Sequence, residues 1–300
     1  MGPPIRPLDE LDCSRMIRTS YWQDLTTRDF TGLDRERTVA LLPVSAIEQH
    51  GPHLPLATDA LIAEGLVRAA MMHVPHDLLV LPAMPVGHSL EHVDFGGTLS
   101  IAAEPLLAAW VDVGRSVARA GVRKLVLLNT HGGNIPLVQL AALRLRQELG
   151  MLVVRANYFA FGSPPGLFAQ DELRHGIHGG EMETSLMLHL CPTLVRRTEL
   201  ADFPGLTHEM GLRSARSDAA QLGPEKPVGF AWMGQDLNEH GVCGNAARAD
   251  AQRGKVLLDH LARKLAALVQ ELGALPLTTL RRGPLEGTSA GVPPATDPRS

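Results

Sequence analysis

Cysteine, aromatic side chains and surplus positive charge are all scarce in this 300-residue chain. Its three cysteines, Cys13, Cys191 and Cys243, lie far apart without a CxxC pair, which leaves no disulfide framework and points to a reducing, cytoplasmic setting. Lysine and arginine (28) fall short of aspartate and glutamate (32), and the basic residues are scattered, so the electrostatic footprint of a nucleic-acid binder is missing. No apolar run approaches the roughly 20 residues that a membrane-spanning helix needs, and the N-terminal MGPPIRPLDE has no apolar signal core. A small-molecule partner is expected instead. What the chain does have is 45% hydrophobic against 20% charged residues, enough for a full-sized core. It also has 13 histidines, more than its three tryptophans, two tyrosines and seven phenylalanines together.

TVALLPV (38–44) is a continuous β-branched and aliphatic run, the pattern of a strand buried on both faces of a parallel sheet. Similar runs at 78–83, 124–129 and 151–156 predict three more strands. Between and after them, helical spacing covers 60–72, with Asp59 as its cap, and then 104–120, 137–149, 180–190 and 246–272. Strands alternating with helices through short loops predict an α/β fold, a single domain with a mostly parallel central sheet flanked by helices. Residues 1–15 read as an N-terminal extension, 16–275 as the domain and 283–300 as a disordered tail. The glycine- and proline-rich stretch 162–176 reads as a long loop of the kind that often serves as a lid.

The polar loops after these strands hold the chemistry. In PVSAIEQHGPHLPLATD (43–59), Glu48 and His50 are two apart, so in extended backbone both project to one side, and Asp59 returns at the start of a helix. Two carboxylates and an imidazole suit Zn, Mn or Fe, although loop and capping roles would account for the same residues. NTHGGN (129–134) brings His131 to the same sheet edge, with Gly132 and Gly133 allowing close backbone approach or simply shaping the turn. In HGGEMETS (178–185), a helix beginning near His178 would put His178 and Glu181 on one face and point Glu183 elsewhere, while an ordinary acidic helix N-terminus explains them equally. GHSLEHVDFGGT (87–98) adds His88, Ser89, Glu91 and His92, polar groups suited to holding a substrate. Four histidine-bearing loops after buried strands are harder to explain blandly than any one of them.

Taken together, EQHGPHLPLATD, NTHGGN, HGGEMETSLML and the late GVCGNAARADAQRGK resemble the creatininase (creatinine amidohydrolase) family over roughly residues 16–272. That resemblance implies an α/β protein, commonly a hexamer, that hydrolyses cyclic or linear amides with a metal-bound hydroxide on two divalent ions. It implies Glu48, His50, Asp59 and His131 as ligands, with Asp59 bridging, and His178 for proton transfer. Creatinine-hydrolysing members carry a further glutamate ligand where this chain has Gly133, and an apolar residue at Glu181, so Glu181 is expected to supply the missing carboxylate, with Glu183 behind it. They also carry tryptophan where this chain has Arg174, and another where it has Phe159, which disfavours creatinine and suggests that Arg174 binds an anionic substrate group. Ser89 and the amide of Gly132 are expected to orient the substrate. A cyclic amide is therefore the expected substrate. A formamide deformylase or peptide-trimming hydrolase is the alternative within the family, and a catalytically silent metal-binding or interaction protein the alternative outside it.

Overall fold

A computed structural model of the chain describes residues 20–74, 77–214, 221–224, 228–281 and 283. The expected N-terminal extension, and the expected tail apart from Gly283, lie outside the described residues. The central sheet is fully parallel, as the buried apolar runs require. Its strands are β1 (Ser20–Tyr21), β2 (Val39–Val44), β3 (Leu78–Val80), β4 (Lys124–Asn129) and β5 (Leu152–Asn157), in spatial order β1-β3-β2-β4-β5. The short edge strand β1 has no sequence signal of its own, and β3 stops before Pro82, which has no N–H to give to a ladder.

Alternation along the central strands divides the core. Val39 and Leu41 of β2 and Val126 and Leu128 of β4 pack with α1 (Thr58–Met71) on one face of the sheet. Ala40, Leu42, Leu125 and Leu127 pack on the other face with α2 (Ala103–Arg119) and α3 (Ile135–Leu149), where Trp110 is fully buried. After β5 come the short α4 (Gln170–His175) and then α5 (Glu181–Leu190). The segment 162–176, expected as a lid, is anchored: Phe168 is in the core, and Glu172 of α4 accepts hydrogen bonds from the backbone N–H of Glu181 (2.7 Å) and of Asn245 (3.0 Å). A small antiparallel pair, β6 (Asp202–Phe203) and β7 (Gly244–Asn245), flanks α6 (Leu206–Ser214) and α7 (Gly234–Leu237). The final helix, expected over 246–272, is α8 (Ala251–Ala274); it starts later because Asp250 caps it through the Arg253 N–H at 2.8 Å.

Helix α8 also completes the α1 face, and it does so by lying directly on α5. A Cβ at Gly254 would collide with the Ser185 carbonyl oxygen, which is backbone and cannot swing aside. Gly254→Ala is therefore expected to push the two helices apart and destabilise the fold by roughly 3 kcal/mol, the upper part of the overpacking range. A lowered denaturant midpoint at unchanged slope would report it.

Strand order places the chemistry. The chain leaves β2 for β3 on one side, then crosses to β4 on the other, so β2 sits at the reversal of winding direction. Ligands bind outside the carboxyl ends of strands at such a point. Val44 of β2 is level with Asn129 of β4, and Asn129 with Asn157 of β5, so the loops that follow begin at one height.

Candidate metal centre

Four segments converge on this rim. The loop after β2 supplies Glu48 and His50, the first turn of α1 supplies Asp59, the loop after β4 supplies His131, and the turn into α5 supplies His178 and Glu183. Helix α1 begins at Thr58 rather than after Asp59, so Asp59 makes no capping bond and its carboxylate is free to face the loops. Glu48, His50, Asp59 and His131 are each at most 3% exposed. Their contacts interlock. Glu48 Oε1 lies 3.1 Å from His131 Nδ1 and 3.9 Å from His178 Nδ1, and Asp59 reaches His50 Nε2 and His131 Nδ1 with its two oxygens, each at 3.5 Å.

Backbone carbonyls orient the ring nitrogens of this cluster. His50 Nδ1 donates to the Glu48 carbonyl (3.1 Å), His131 Nε2 to the His88 carbonyl (3.0 Å) and His178 Nε2 to the Gln49 carbonyl (2.8 Å). A carbonyl can only accept, so each bond assigns a proton to that nitrogen and turns the opposite nitrogen, which takes either a proton or a metal, toward carboxylates. Metal-ligating histidines are oriented in this way. His50 Nε2 and Asp59 Oδ2 are moreover buried without a hydrogen-bond partner, which is costly unless a cation stands between them. The residues present thus fit a metal.

Electrostatics agree. Burial opposes charge on His50, yet Asp59, Glu183 and Glu48 outweigh it and raise its pKa to about 9. His131 is raised to about 10, with burial overcome by Glu48, Asp59 and Glu91. Burial, reinforced by Glu48, lifts Asp59 to about 6, whereas His131, His178 and His50 overcome burial at Glu48 and hold its carboxyl well below the usual range. Protons on His50 and His131 thereby neutralise buried carboxylates in the role a dication would take. His178 behaves differently: burial, then His50, pushes it down to about 4, so the ring is neutral.

The expectation for Glu181 is corrected. Helix α5 begins at Glu181, not near His178, because Gly179 turns with φ +65° and His178 is held in an isolated bridge to Cys243. The assumed three-residue helical spacing from His178 to Glu181 therefore does not exist. Glu181 faces α8, where its carboxylate pairs with Arg253. Glu183, expected to point away, is the one at the cluster: Oε2 lies 3.9 Å from His50 Nε2 and accepts from the Gly179 N–H at 2.7 Å, and Oε1 accepts from the Tyr158 hydroxyl at 3.0 Å.

Other expectations shift as well. Ser89 is buried, and its hydroxyl donates to Glu48 Oε2, so it orients that carboxylate instead of standing free for substrate. Gly132 is exposed beside His131. Arg174 is exposed on α4, with no hydrogen bond or ion pair to the cluster among the described residues. His53 is structural: its Nε2 lies 2.9 Å from the Gly179 carbonyl and 3.0 Å from Thr184 Oγ1, tying the β2 loop to α5. At Gly133 a Cβ would collide with the Glu91 carboxylate, His131 Nε2 and the His88 carbonyl. Glu91 Oε1 stands 3.5 Å from His131 Nε2, the nitrogen opposite Glu48, so the missing side chain at 133 makes room for a carboxylate from the β3 loop. Nothing in local sequence spacing could have revealed this exchange between two loops.

Residues 23–269 match the family model described as Creatininase: Creatinine amidohydrolase. The chain belongs to the creatininase family. Among curated creatininase relatives, a mycofactocin precursor peptide peptidase of Mycobacterium ulcerans (strain Agy99) is 38% identical over 168 residues, covering 54% of this chain and 62% of that protein. The chain thus spans about three-fifths of that relative's length. The creatinine amidohydrolase of Pseudomonas putida is 33% identical over 187 residues, covering 56% of this chain and 70% of that one. A solved mutant creatininase of Zn-Zn type superposes with a TM-score of 0.70 at 25% identity, covering 85% of this chain and 98% of that one.

Proposed function

We propose that the protein is a metal-dependent amidohydrolase in which Glu48, Asp59 and His131 hold one divalent ion and His50, Asp59 and Glu183 a second. The observation that carries this reading is the set of three imidazoles whose bonds to backbone carbonyls turn the opposite nitrogens onto buried carboxylates, with His50 Nε2 and Asp59 Oδ2 buried without a hydrogen-bond partner. Zn, Mn and Fe all suit such mixed nitrogen and oxygen donors. When bound, such ions would polarise an amide carbonyl and acidify water toward neutrality.

His178 supplies the proton path. Because its Nδ1 is unprotonated and faces Glu48, it can take the proton of the attacking water at Nδ1 and then return it to the departing amide nitrogen, a poor leaving group until protonated. Its Nε2–H bond to the Gln49 carbonyl holds the ring in the tautomer that this requires. Tyr158 and the Gly179 amide fix Glu183 in the same way.

For the substrate we favour a linear, peptide-type amide. This reading is supported by the mycobacterial peptide peptidase at 38% identity, and by Phe159 and Arg174 standing where creatinine-hydrolysing members have tryptophans. A cyclic amide is the second reading, supported by the Pseudomonas putida relative. Assembly as a homo-oligomer belongs to the same proposal.

The test is elemental analysis of protein purified without added metal, followed by assay on short peptides, lactams, imides and formamides. About two transition-metal ions per chain are expected, with turnover abolished by chelation and restored by Zn or Mn. Metal-free protein with unchanged turnover would refute the reading.

A further inference from the structure

Among the histidines around the cluster, His92 has the reverse polarity. It is 2% exposed, and its Nδ1 lies 2.8 Å from the side-chain nitrogen of Gln49. The orientation of the Gln49 amide is fixed by two other bonds: its nitrogen must donate to the Gly241 carbonyl at 2.6 Å, and its oxygen must accept from the Gly51 N–H at 2.9 Å. Flipping the amide would set oxygen against carbonyl oxygen and N–H against N–H. Gln49 therefore donates to His92 Nδ1, Nδ1 is the acceptor, and the ring's proton is on Nε2. His50, His131 and His178 each donate to a carbonyl through one nitrogen and turn the other, which takes a proton or a metal, to the rim, whereas His92 accepts through one nitrogen and turns its hydrogen to the rim.

That hydrogen is held at the site without being consumed there. The only carboxylate oxygen within 4 Å of Nε2 among the described residues is Glu48 Oε1 at 3.8 Å, beyond hydrogen-bond length. An imidazole serving only the core would pair both nitrogens, since a buried donor without an acceptor is costly. The ring is braced instead: it stacks on His178 with centroids 4.3 Å apart, Trp232 meets the His92 ring edge-on at 6.4 Å, and His178 in turn packs against His50 in a tilted pair at 4.2 Å. A rigid N–H beside a group that moves protons is placed to receive an oxygen that gains negative charge.

We propose that His92 Nε2–H is the oxyanion donor of this site, binding the carbonyl oxygen of an amide substrate and its tetrahedral adduct, and that Gln49 acts as a positioning residue by holding His92 in that tautomer. This rests on the amidohydrolase reading. Gln49→Glu replaces the donor with an acceptor and draws the ring proton to Nδ1; Gln49→Met removes the donor at similar volume and serves if the buried glutamate impairs folding.

Neutron diffraction on deuterium-exchanged crystals should show deuterium on Nε2 and not on Nδ1 of His92 in the wild type, and on Nδ1 in Gln49→Glu. Methylphosphonate, a tetrahedral oxyanion probe, should bind metal-loaded wild type and lose about tenfold or more in affinity in both variants, with metal per chain unchanged. On the fastest amide of the panel, kcat should fall about 100-fold with KM within about threefold, as for loss of one oxyanion donor. Deuterium on Nδ1 in the wild type, absent or equal methylphosphonate binding, or metal loss in the variants would each overturn the proposal; metal loss would make His92 a support for Glu48. Wild type lacking metal would sink the amidohydrolase reading separately, because the tautomer is read without metal or turnover.

Discussion

Asp59→Ala is expected to remove both divalent ions and to lower amide turnover by roughly 10⁴-fold, the scale of losing a principal catalytic group. The size of the effect follows from position. Its two oxygens reach the two histidines that face different halves of the cluster, His50 and His131, each at 3.5 Å, so one side chain serves both proposed ions. The residue is 2% exposed, and no other described carboxylate has oxygens within 4 Å of ring nitrogens of both His50 and His131. Metal content by elemental analysis, read beside the thermal midpoint, separates ligand loss from unfolding. Retention of two ions in a folded Asp59→Ala protein would refute the bridging role. Since His50 and His131 hold protons that a cation must displace, the wild type's apparent metal affinity should also rise as pH increases toward about 9, the value to which His50 is raised.

The second prediction separates two glutamates that differ by two positions. Glu183→Gln should leave about one ion per chain and reduce turnover about 100-fold or more, because a charged group 3.9 Å from the orphaned His50 nitrogen becomes neutral. Glu181→Gln should keep both ions. Its cost is structural: Glu181 is 1% exposed and pairs with Arg253 of α8, so the change weakens the α5–α8 contact and leaves Arg253 with Asp250 as its charged partner. Arg253→Ala, which strands the buried carboxylate, should destabilise by roughly 3 kcal/mol with metal content intact. Paired elemental analysis and denaturant melts on the three variants read both effects, and loss of an ion in Glu181→Gln with none in Glu183→Gln would reverse the assignment.

The same pair of residues shows how far local spacing reaches. Where a helix starts decides which of two nearby acidic residues faces a site, and composition around 178–185 permits a start on either side of the glycines. The start at Glu181 depends on contacts from elsewhere: Cys243 pairs with His178, and Glu172 accepts the Glu181 N–H. These partners are 65 residues later and 9 residues earlier in the chain. Ser89 is a similar case, since a hydroxyl in a polar loop signals substrate binding until Glu48, 41 residues away, is seen to accept its hydrogen bond.

Sequence alone determined a mostly parallel sheet with strands buried on both faces, and the placing of Glu48, His50, Asp59 and His131 on loops and a helix start at one sheet edge. Each follows from a short-range rule: buried runs make strands, alternate residues take opposite faces, and loops after parallel strands share one edge. Tertiary structure alone decided that Glu183 rather than Glu181 faces the cluster, that Glu91 occupies the space beside Gly133, and that His92 has the opposite polarity, set by Gln49 and Gly241. The physical reason is common to all three. Which way a carboxylate turns, and which ring nitrogen holds a proton, is set by the partner that satisfies it, and here those partners come from distant parts of the chain.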